Sequence, residues 1–267
     1  LRKALFKSGC NKIKASFCGC TPAVKPVEPA APEEVKPNPT VEPEPERPSA
    51  SAPASKSLWY PLAHIPKNMA MASKGKYKDN YPVGAIVHFT AGRFEKGLQS
   101  ALDTMSWGLK QGYNYMSMAA DGQVVQSCPL SDWGYHAGAS VWPELGSSVS
   151  SKLVGIEICC AGRLSVKDGK YMSWFNTEIP EDLVRTVKSR DNIQAGSYHK
   201  YTEAQEKSLV ELLIWLKANN PTVFNFDYVL GHDEVAPTRK NDPSGALSMS
   251  MPEFREYLKA EYKKRYN

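Results

Sequence analysis

A proline-rich stretch near the start of the chain limits what can fold. Between Thr21 and Ser57 there are ten prolines, and the other residues are mainly Glu, Ala, Ser and Lys, with almost no large apolar side chain. A segment of this composition cannot bury enough apolar surface to offset its loss of entropy on ordering. Repeated prolines also favour extended polyproline II geometry. We therefore predict a disordered tether over residues 21–57 and a folded domain over residues 58–267.

The residues before the tether are strongly basic. Residues 1–20 hold five Lys and Arg side chains and no acidic one, whereas the whole chain carries a net charge of only +5. This segment suits contact with an anionic surface such as a membrane, a cell-wall polymer or nucleic acid, and a solvated arm is an equally good interpretation. Cys20 ends a Phe-Cys-Gly-Cys sequence that loosely resembles a lipoprotein processing site, but lysines interrupt the apolar run before it. Lipidation of Cys20 therefore stays open.

The domain itself has the composition of an ordinary soluble protein. It is close to neutral, so we expect no nucleic-acid partner, and we expect a monomer. No apolar run reaches the length of a membrane-spanning helix. The three cysteines of the domain match no metal-binding spacing, and we interpret them as small buried apolar residues.

Strand and helix patterns alternate along the domain. Asp121-Gly122 is a strong hairpin signal, and Thr202 with Gln205 predicts a capping box at the start of a helix over 202–219. Spacing indicates a helix within 94–110, and Ser250 with Glu253 predicts the start of a last helix. Strands are predicted over 84–89, 113–119, 123–127, 153–160 and 228–230. This alternation predicts an α/β fold with a mixed central sheet flanked by helices.

Two histidines and an aspartate are the residues that best suit a metal. His88 ends one predicted strand and His232 follows another, where a rigid element meets an open loop. Either histidine alone would more often be a core residue. Asp242 lies in the long polar segment after His232, where Pro243 favours an extended backbone that puts Lys240 and Asp242 on one face. Two histidines with a carboxylate are the usual composition of a catalytic zinc site, whose fourth position is left for water.

Five separated motifs then occur in the order in which a known enzyme family has them. They are IVHFTAG (86–92), GYNY (112–115) with DG (121–122), YHAGAS (135–140), VGIEI (154–158) and GHDEVAPTRKNDPSG (231–245). Over residues 80–260 the sequence resembles the zinc-dependent N-acetylmuramoyl-L-alanine amidases of the amidase-2 type, which are related to phage lysozyme-type amidases and peptidoglycan-recognition proteins. The resemblance implies an amidase-2 fold, a Zn²⁺ cofactor and hydrolysis of the amide between N-acetylmuramic acid and L-alanine.

The resemblance also assigns roles to residues. It makes His88, His232 and Asp242 the metal ligands, and Glu157 the general base, whose pKa burial would raise toward a useful range. A core carboxylate paired with a lysine or a backbone amide is the alternative interpretation of Glu157. Lys240 stabilises the oxyanion in this scheme, although it could instead form a solvated basic turn together with Arg239. The catalytic tyrosine is Tyr113, with Tyr115 as its rival because the hairpin is one residue longer than usual.

A further set of residues is assigned to the substrate cleft by the same resemblance: Thr90, His136, Ala137, Gly138, Ser140 and Trp142. For Trp142 surface packing is the alternative. The chain departs from the family where Ser244-Gly245 replaces Gly-Pro, and where Ser150 to Lys152 lack an expected asparagine. Residues 163–201 form an insertion that the motifs do not assign.

Two classes of function remain at this stage. The first is a peptidoglycan hydrolase of the endolysin or autolysin kind, and the second is a silent peptidoglycan-binding module. Complete retention of the ligand set with Glu157, Tyr113 and Lys240 favours the hydrolase. The expected partners are peptidoglycan or muropeptides. The expected location is the cell envelope, in the periplasm or tethered to an outer membrane, or the wall itself if the chain is a released phage lysin.

Overall fold

The part of the chain that the structure describes is the predicted domain. The structure is a computed structural model, and it describes residues 56–67, 69 and 72–266. The predicted basic segment 1–20 and nearly all of the predicted tether 21–57 lie outside these residues. No helix within the described residues is long and apolar enough to cross a bilayer.

Short strands and four helices make up the described chain. In chain order the strands are β1 (Ala63–His64), β2 (Gly75–Lys76), β3 (Gly84–Phe89), β4 (Met116–Met118), β5 (Val124–Val125), β6 (Asp132–Trp133), β7 (Val141–Trp142), β8 (Gly146–Ser147), β9 (Leu153–Ile158), β10 (Arg163–Lys167), β11 (Lys170–Met172), β12 (Glu178–Ile179), β13 (Val184–Val187), β14 (Gly196–His199) and β15 (Val229–Gly231). The α-helices are α1 (Leu98–Lys110), α2 (Glu203–Asn219), α3 (His232–Val235) and α4 (Met251–Tyr266).

A six-stranded mixed sheet forms the centre of the domain, in the order β1-β5-β4-β9-β3-β15. Strands β4, β9, β3 and β15 run parallel to one another, and β5 pairs antiparallel with β4. Every residue of β3 is buried. A strand covered on both faces needs an unbroken apolar run, and the sequence GAIVHF supplies one up to its histidine. The predicted α/β fold with a mixed central sheet is confirmed.

Helices cover both faces of this sheet. On one face α2 and α4 pack against β3 and β9 through a large cluster that includes Val87, Ile156, Leu209, Leu213 and Phe254. On the other face α1 packs against β5 and the end of β9 through Ala101, Met105, Val125 and Cys159. Each fully buried large aliphatic side chain of this kind contributes about 1.5–3 kcal/mol.

The adjacent cysteines show how the sheet separates these two layers. Cys159 lies in the cluster beneath α1, and Cys160 lies in the cluster beneath α2. Alternate side chains of an extended segment point to opposite faces, so neighbouring residues reach different layers. Cys128, Cys159 and Cys160 are all free and buried. This confirms their interpretation as small buried apolar residues.

Helix α2 begins where the capping box predicted. The Thr202 hydroxyl accepts a hydrogen bond from the Gln205 backbone N–H (3.0 Å), and the Gln205 side-chain oxygen accepts from Thr202 N–H (3.0 Å). Gln205 also donates to the carbonyl of Cys159 (2.9 Å), which ties the helix to the end of β9. At the last helix Glu253 accepts from the backbone N–H of Ser250 (2.9 Å), as predicted.

The predicted strands all occur, but several are shorter than predicted. The hairpin at Asp121-Gly122 joins β4 to β5, with Gly122 at φ 83°. The predicted strands 113–119 and 123–127 are reduced to the three residues of β4 and the two of β5. Strand β9 ends at Ile158 rather than at Cys160. In each case burial extends beyond the paired residues, as at Asn114, Gln126 and Cys160, although the ladder of backbone hydrogen bonds does not reach them.

The insertion 163–201 folds as a second sheet, in the order β12-β11-β10-β14-β13, with antiparallel pairing throughout. Its inner end lies against the polar segment that follows β15. Arg185 of β13 donates to the carbonyls of Gly245 (3.3 Å) and Ala246 (3.0 Å). The second sheet therefore touches the segment in which the sequence places the third metal ligand.

Candidate active site

An open cleft of about 1480 Å³ lies at the carboxyl ends of the parallel strands. Its lining includes Thr90, which follows β3, and His232, which follows β15. Ligand sites in open α/β sheets lie outside the carboxyl ends of the strands, because loops from neighbouring strands meet there. The ring of His88, the last polar side chain of β3, lies at the floor of this cleft.

Three buried side chains converge at that floor. Nδ1 of His88 lies 2.9 Å from Nδ1 of His232 and 3.0 Å from Oδ2 of Asp242, and His232 Nδ1 lies 3.0 Å from the same oxygen. None of the three residues is more than 4% exposed. They form a group that could hold a metal ion. The structure thus brings together the three residues that the sequence assigned as ligands, from positions 144 and 10 residues apart.

The loop between His232 and Asp242 is held closed by its own backbone. The Asp233 N–H donates to the Asp242 carbonyl (2.8 Å), and the Ser244 N–H donates to the Asp233 carboxylate (3.0 Å). Gly231 is required here, because a Cβ at that position would collide with Oδ1 of Asp233 and would lie 2.9 Å from Cδ of Pro243. The chain therefore turns back tightly enough to set His232 and Asp242 side by side.

Burial controls the protonation of the cluster. It lowers the pKa of His88 to about 4, with the neighbouring His232 acting in the same direction. Burial alone would raise the pKa of Asp242, but its contacts with His232 and His88 outweigh that effect and lower it. Near neutral pH the site therefore presents a neutral His88 imidazole and an ionised carboxylate. These are the protonation states in which such side chains bind metals.

Glu157 lies beside His88 because of strand register. The two residues are directly paired partners in the parallel ladder of β3 and β9, so their side chains share one face of the sheet. Within the described residues the Glu157 carboxylate has no hydrogen-bond partner, although it lines the cleft. Burial raises its pKa well above the usual value, Asp242 raises it further, and Lys240 opposes both. This environment differs from the paired core carboxylate considered as the alternative.

Lys240 and Tyr113 both line the same cleft. Gln194 of the insertion donates to the Lys240 carbonyl (2.7 Å), which fixes the backbone at this position. Tyr113 is 39% exposed. Its rival Tyr115 is only 5% exposed, and its hydroxyl donates to the carbonyl of Thr104 (2.8 Å). The hydroxyl of Tyr115 is therefore already engaged with α1.

The six residues assigned to the substrate divide into two groups. The cleft is lined by Thr90, His136, Ala137 and Gly138. Ser140 and Trp142 are not among the described residues that line it. The Ser140 hydroxyl donates to the carbonyl of Gly138 (3.1 Å), and Trp142 packs against the cluster that contains Ile86 and Leu230.

His136 and Ala137 touch the cluster directly. His136 Nδ1 lies 3.1 Å from Nε2 of His88, and the carbonyl of Ala137 lies 3.0 Å from Nε2 of His232. Burial lowers the pKa of His136 well below its usual value, and His88 lowers it further. The segment assigned to the substrate is thus also in contact with both histidines of the cluster.

Sequence reasoning gave no specific role to two contributors to the cleft. Arg239 was considered only as part of a solvated turn, yet its guanidinium donates to the carbonyls of Ala137 and Ala139 (2.7 Å each). Trp174 comes from the insertion and lines the cleft, with its ring N–H on the carbonyl of Ala91. Neither has a local signal, because a lone arginine or tryptophan in a polar stretch shows no partner in the sequence.

Comparisons with known proteins show which family the chain matches. A model of the Amidase_2 family, described as N-acetylmuramoyl-L-alanine amidase, matches residues 78–245. No curated protein sequence matches the chain significantly.

Several solved structures are similar to the chain in fold. A selenomethionine derivative of AmpD is 20% identical, covers 76% of this chain and 97% of its own, and has a TM-score of 0.47. The amidase AmiD of E. coli, solved with anhydro-N-acetylmuramic acid-L-Ala-D-gamma-Glu-L-Lys, is 20% identical over 66% of this chain and 56% of its own, with a TM-score of 0.40. AmpDh3 of Pseudomonas aeruginosa, solved with anhydromuramic pentapeptide, is 17% identical over 73% of this chain and 66% of its own, with a TM-score of 0.45.

Proposed function

We infer that this chain uses zinc held by His88, His232 and Asp242 for its reaction. The chain belongs to the N-acetylmuramoyl-L-alanine amidase family and hydrolyses the amide between N-acetylmuramic acid and L-alanine in peptidoglycan. The convergence of these three buried side chains beside Glu157, in the cleft, is the observation that carries the proposal.

The donor set fits zinc. Two imidazole nitrogens and one carboxylate oxygen are the ligands of many catalytic zinc sites, which leave one position open. The carbonyl of Ala137 can only accept, so Nε2 of His232 carries the proton and Nδ1 faces Asp242 with a lone pair. Nitrogen and oxygen lone pairs that face one another in a buried site raise the free energy of the folded chain unless a cation binds between them. When bound there, zinc lowers the pKa of water and polarises a carbonyl.

Glu157 is the proposed general base. Its carboxylate shares a sheet face with His88 and has no hydrogen-bond partner in the described chain, so it is free to take a proton. A base works best when its pKa lies near the operating pH, and burial moves Glu157 in that direction. In this scheme Glu157 accepts a proton from the attacking water and delivers it to the departing nitrogen.

Lys240 and Tyr113 are proposed to stabilise the negative oxygen that forms on the substrate carbonyl. Both lie in the cleft with Glu157, and Lys240 is a positive charge close enough to lower the pKa of that carboxyl. Donors held in place in a partly buried site act strongly on charge that develops during reaction. The exposed position of Tyr113, beside the engaged hydroxyl of Tyr115, favours Tyr113 in this role.

Contacts with the stem peptide and the sugar are proposed for Thr90, Ala137 and Gly138, which line the cleft. For Ser140 and Trp142 the proposal is an indirect role, through the shape of the segment that holds Gly138.

The place of action is also a proposal. The chain is a cell-wall enzyme, and the basic composition of residues 1–20 supports contact with an anionic membrane or wall polymer. We propose that it works in the cell envelope as a monomer, with peptidoglycan as its partner.

The decisive experiment measures release of stem peptide from purified muropeptide by the full chain. We expect release that stops with a zinc chelator and returns when zinc is added. Release that ignores the chelator would exclude the zinc mechanism, and no release in the presence of zinc would exclude the activity. Asp242→Ala should abolish zinc retention. A variant that still held one equivalent of zinc would show the ligand assignment to be wrong.

A further inference from the structure

Two neighbouring residues, His136 and Ala137, contact the two ligand histidines on the side away from Asp242. The atoms that meet are His136 Nδ1 with His88 Nε2 (3.1 Å), and the Ala137 carbonyl with His232 Nε2 (3.0 Å). In both ligand rings Nδ1 faces Asp242 and Nε2 faces this segment. Whatever fixes the proton on Nε2 therefore leaves Nδ1 free to bind a metal.

The position of each proton follows from the partners. His136 Nε2 lies 2.9 Å from the carbonyl of Leu153, and a carbonyl only accepts. His136 must therefore carry its proton on Nε2, which leaves a lone pair on Nδ1. That lone pair can only accept from His88 Nε2, so the proton of His88 lies on Nε2 and its Nδ1 is unprotonated. The Ala137 carbonyl fixes His232 in the same form.

We infer that His136 is a positioning residue for the zinc ligand His88, acting as a relay that transmits the acceptor character of the Leu153 carbonyl to the His88 ring. Carboxylates and carbonyls usually take this place behind a metal-binding histidine. Here the Leu153 carbonyl meets His136 rather than His88, and the ring of His136 spans the gap. The inference rests on the zinc site proposed above and gives His136 a role distinct from a substrate contact.

The surroundings of His136 are built for this role. The Ser150 hydroxyl accepts from the backbone N–H groups of both His136 (3.3 Å) and Ala137 (3.0 Å), which fixes the segment. Gly155 of β9 makes room for the ring, since a Cβ there would lie 2.7 Å from His136 Cγ and 2.8 Å from Nδ1. A glycine within a strand weakens that strand. At Gly155 the missing side chain leaves the space that the His136 ring occupies.

The test measures zinc affinity of the full chain by competition with a chromophoric chelator. His136→Leu leaves the His88 N–H without an acceptor and should weaken zinc binding by about 10- to 100-fold. His136→Gln supplies one acceptor and one donor in a single planar group, so its loss of zinc affinity should be clearly smaller than that of His136→Leu. His64→Gln is the matched control, since His64 is exposed and outside the cluster. It should bind zinc like the wild type.

A second variant disturbs the ring without removing it. Gly155→Ala should also weaken zinc binding, whereas Gly92→Ala, whose Cβ would approach no closer than 3.4 Å to another residue, should leave zinc affinity unchanged. Thermal unfolding of each variant shows whether it is folded. In the zinc-loaded wild type, long-range ¹H–¹⁵N spectra should show His136 as the neutral form with its proton on Nε2.

Three results would overturn the relay. The first is a proton on Nδ1 of His136. The second is a folded His136→Leu variant whose zinc affinity is within about twofold of the wild type. The third is a His136→Leu variant in which only KM for muropeptide changes, as expected for a substrate contact. A wild-type chain that binds no zinc would overturn the zinc site and the relay together. A chain that binds zinc and shows the predicted affinities, but releases no stem peptide, would overturn only the proposed activity.

Discussion

At the scale of single residues, Glu157 separates catalysis from metal binding. Glu157→Gln keeps the shape of the side chain but cannot take a proton. We expect kcat for stem-peptide release to fall by about 10²- to 10⁴-fold, the usual contribution of general acid–base catalysis. Bound zinc should stay at the wild-type level, because Glu157 is not one of the three converging ligands. Glu144→Gln, at an exposed position, is the control. A kcat within tenfold of wild type would assign the proton transfer to another group.

A second residue, His199, lies outside the cleft and makes the stability of the fold depend on pH. His199 is 4% exposed, its Nδ1 accepts from the Ala161 N–H (3.0 Å), and burial lowers its pKa to about 4, although Glu95 acts in the opposite direction. Because the unfolded chain takes up the proton first, stability declines as pH falls below the unfolded value of about 6.5, and the decline ends near the folded pKa. In zinc-free urea unfolding, wild type should lose about 2 kcal/mol more than His199→Gln between pH 7 and pH 5. Equal losses would refute this.

The residues of the candidate site could be predicted from the sequence where chemistry and motif coincide. His88, His232 and Asp242 meet as predicted, because the parallel strands β3 and β15 place the two histidines and the loop after His232 returns Asp242 to them. The contacts of His136 and Arg239 could not be predicted. Their partners lie 48 and 102 residues away in sequence, and nothing local distinguishes them from solvated or substrate-binding side chains.

At the scale of elements, the insertion supports the loop that carries Asp242, the third proposed ligand. Asn192, between β13 and β14, donates to both carboxylate oxygens of Asp233 (3.1 and 3.0 Å) and accepts from the Met251 N–H (2.8 Å). Asp233 in turn holds the Ser244 N–H. Asn192→Ala leaves a buried carboxylate without these donors, so we expect a loss of about 1–3 kcal/mol in unfolding free energy. Zinc affinity should also fall.

The same segment offers a control for that prediction. Arg190 makes a bidentate ion pair with Glu253 of α4, but both side chains are largely exposed. Exposed pairs contribute about 1 kcal/mol or less, so Arg190→Ala should change stability little and zinc affinity not at all. If Asn192→Ala and Arg190→Ala proved equally mild in urea unfolding and zinc titration, the insertion would not be a support for the loop.

Elements differ in how far the sequence determines them. Helix α2 and the β4–β5 hairpin depend on local signals, the capping box of Thr202 and the turn at Gly122, and both were predicted. Strand ends were overestimated because an apolar pattern records burial, while a strand also needs a partner backbone. The second sheet was not assigned, since its function depends on distant contacts such as that of Gln194 with Lys240, 46 residues apart.

At the scale of the whole molecule, Asn219 holds the chain close to the predicted boundary between tether and domain. Its side chain accepts from the Ser57 N–H (2.9 Å) and donates to the Ser57 carbonyl (2.7 Å), and it also donates to the Tyr81 hydroxyl (3.0 Å). The first residues of the described chain are thus fixed to the C-terminal end of α2. Lys56, the first described residue, also contacts the domain, since its Nζ donates to the carbonyl of Asp79 (3.0 Å). The predicted start of the domain at Leu58 stays a prediction, because the residues before Lys56 lie outside the described chain.

This boundary leads to a prediction about the basic segment. The proposed metal ligands, Glu157 and the other residues that line the cleft all lie after residue 80, so deleting residues 1–20 should leave kcat/KM on soluble muropeptide within about twofold of the full chain. Binding to insoluble cell-wall sacculi should weaken at low salt, because five positive charges are lost. The difference between the two proteins should shrink as salt rises, since screening weakens contacts between exposed charges. Sedimentation with sacculi at several salt concentrations measures this. Equal binding of the two proteins at low salt would show that the basic segment is a solvated arm, whereas a loss of activity on soluble muropeptide would show that it belongs to the catalytic unit.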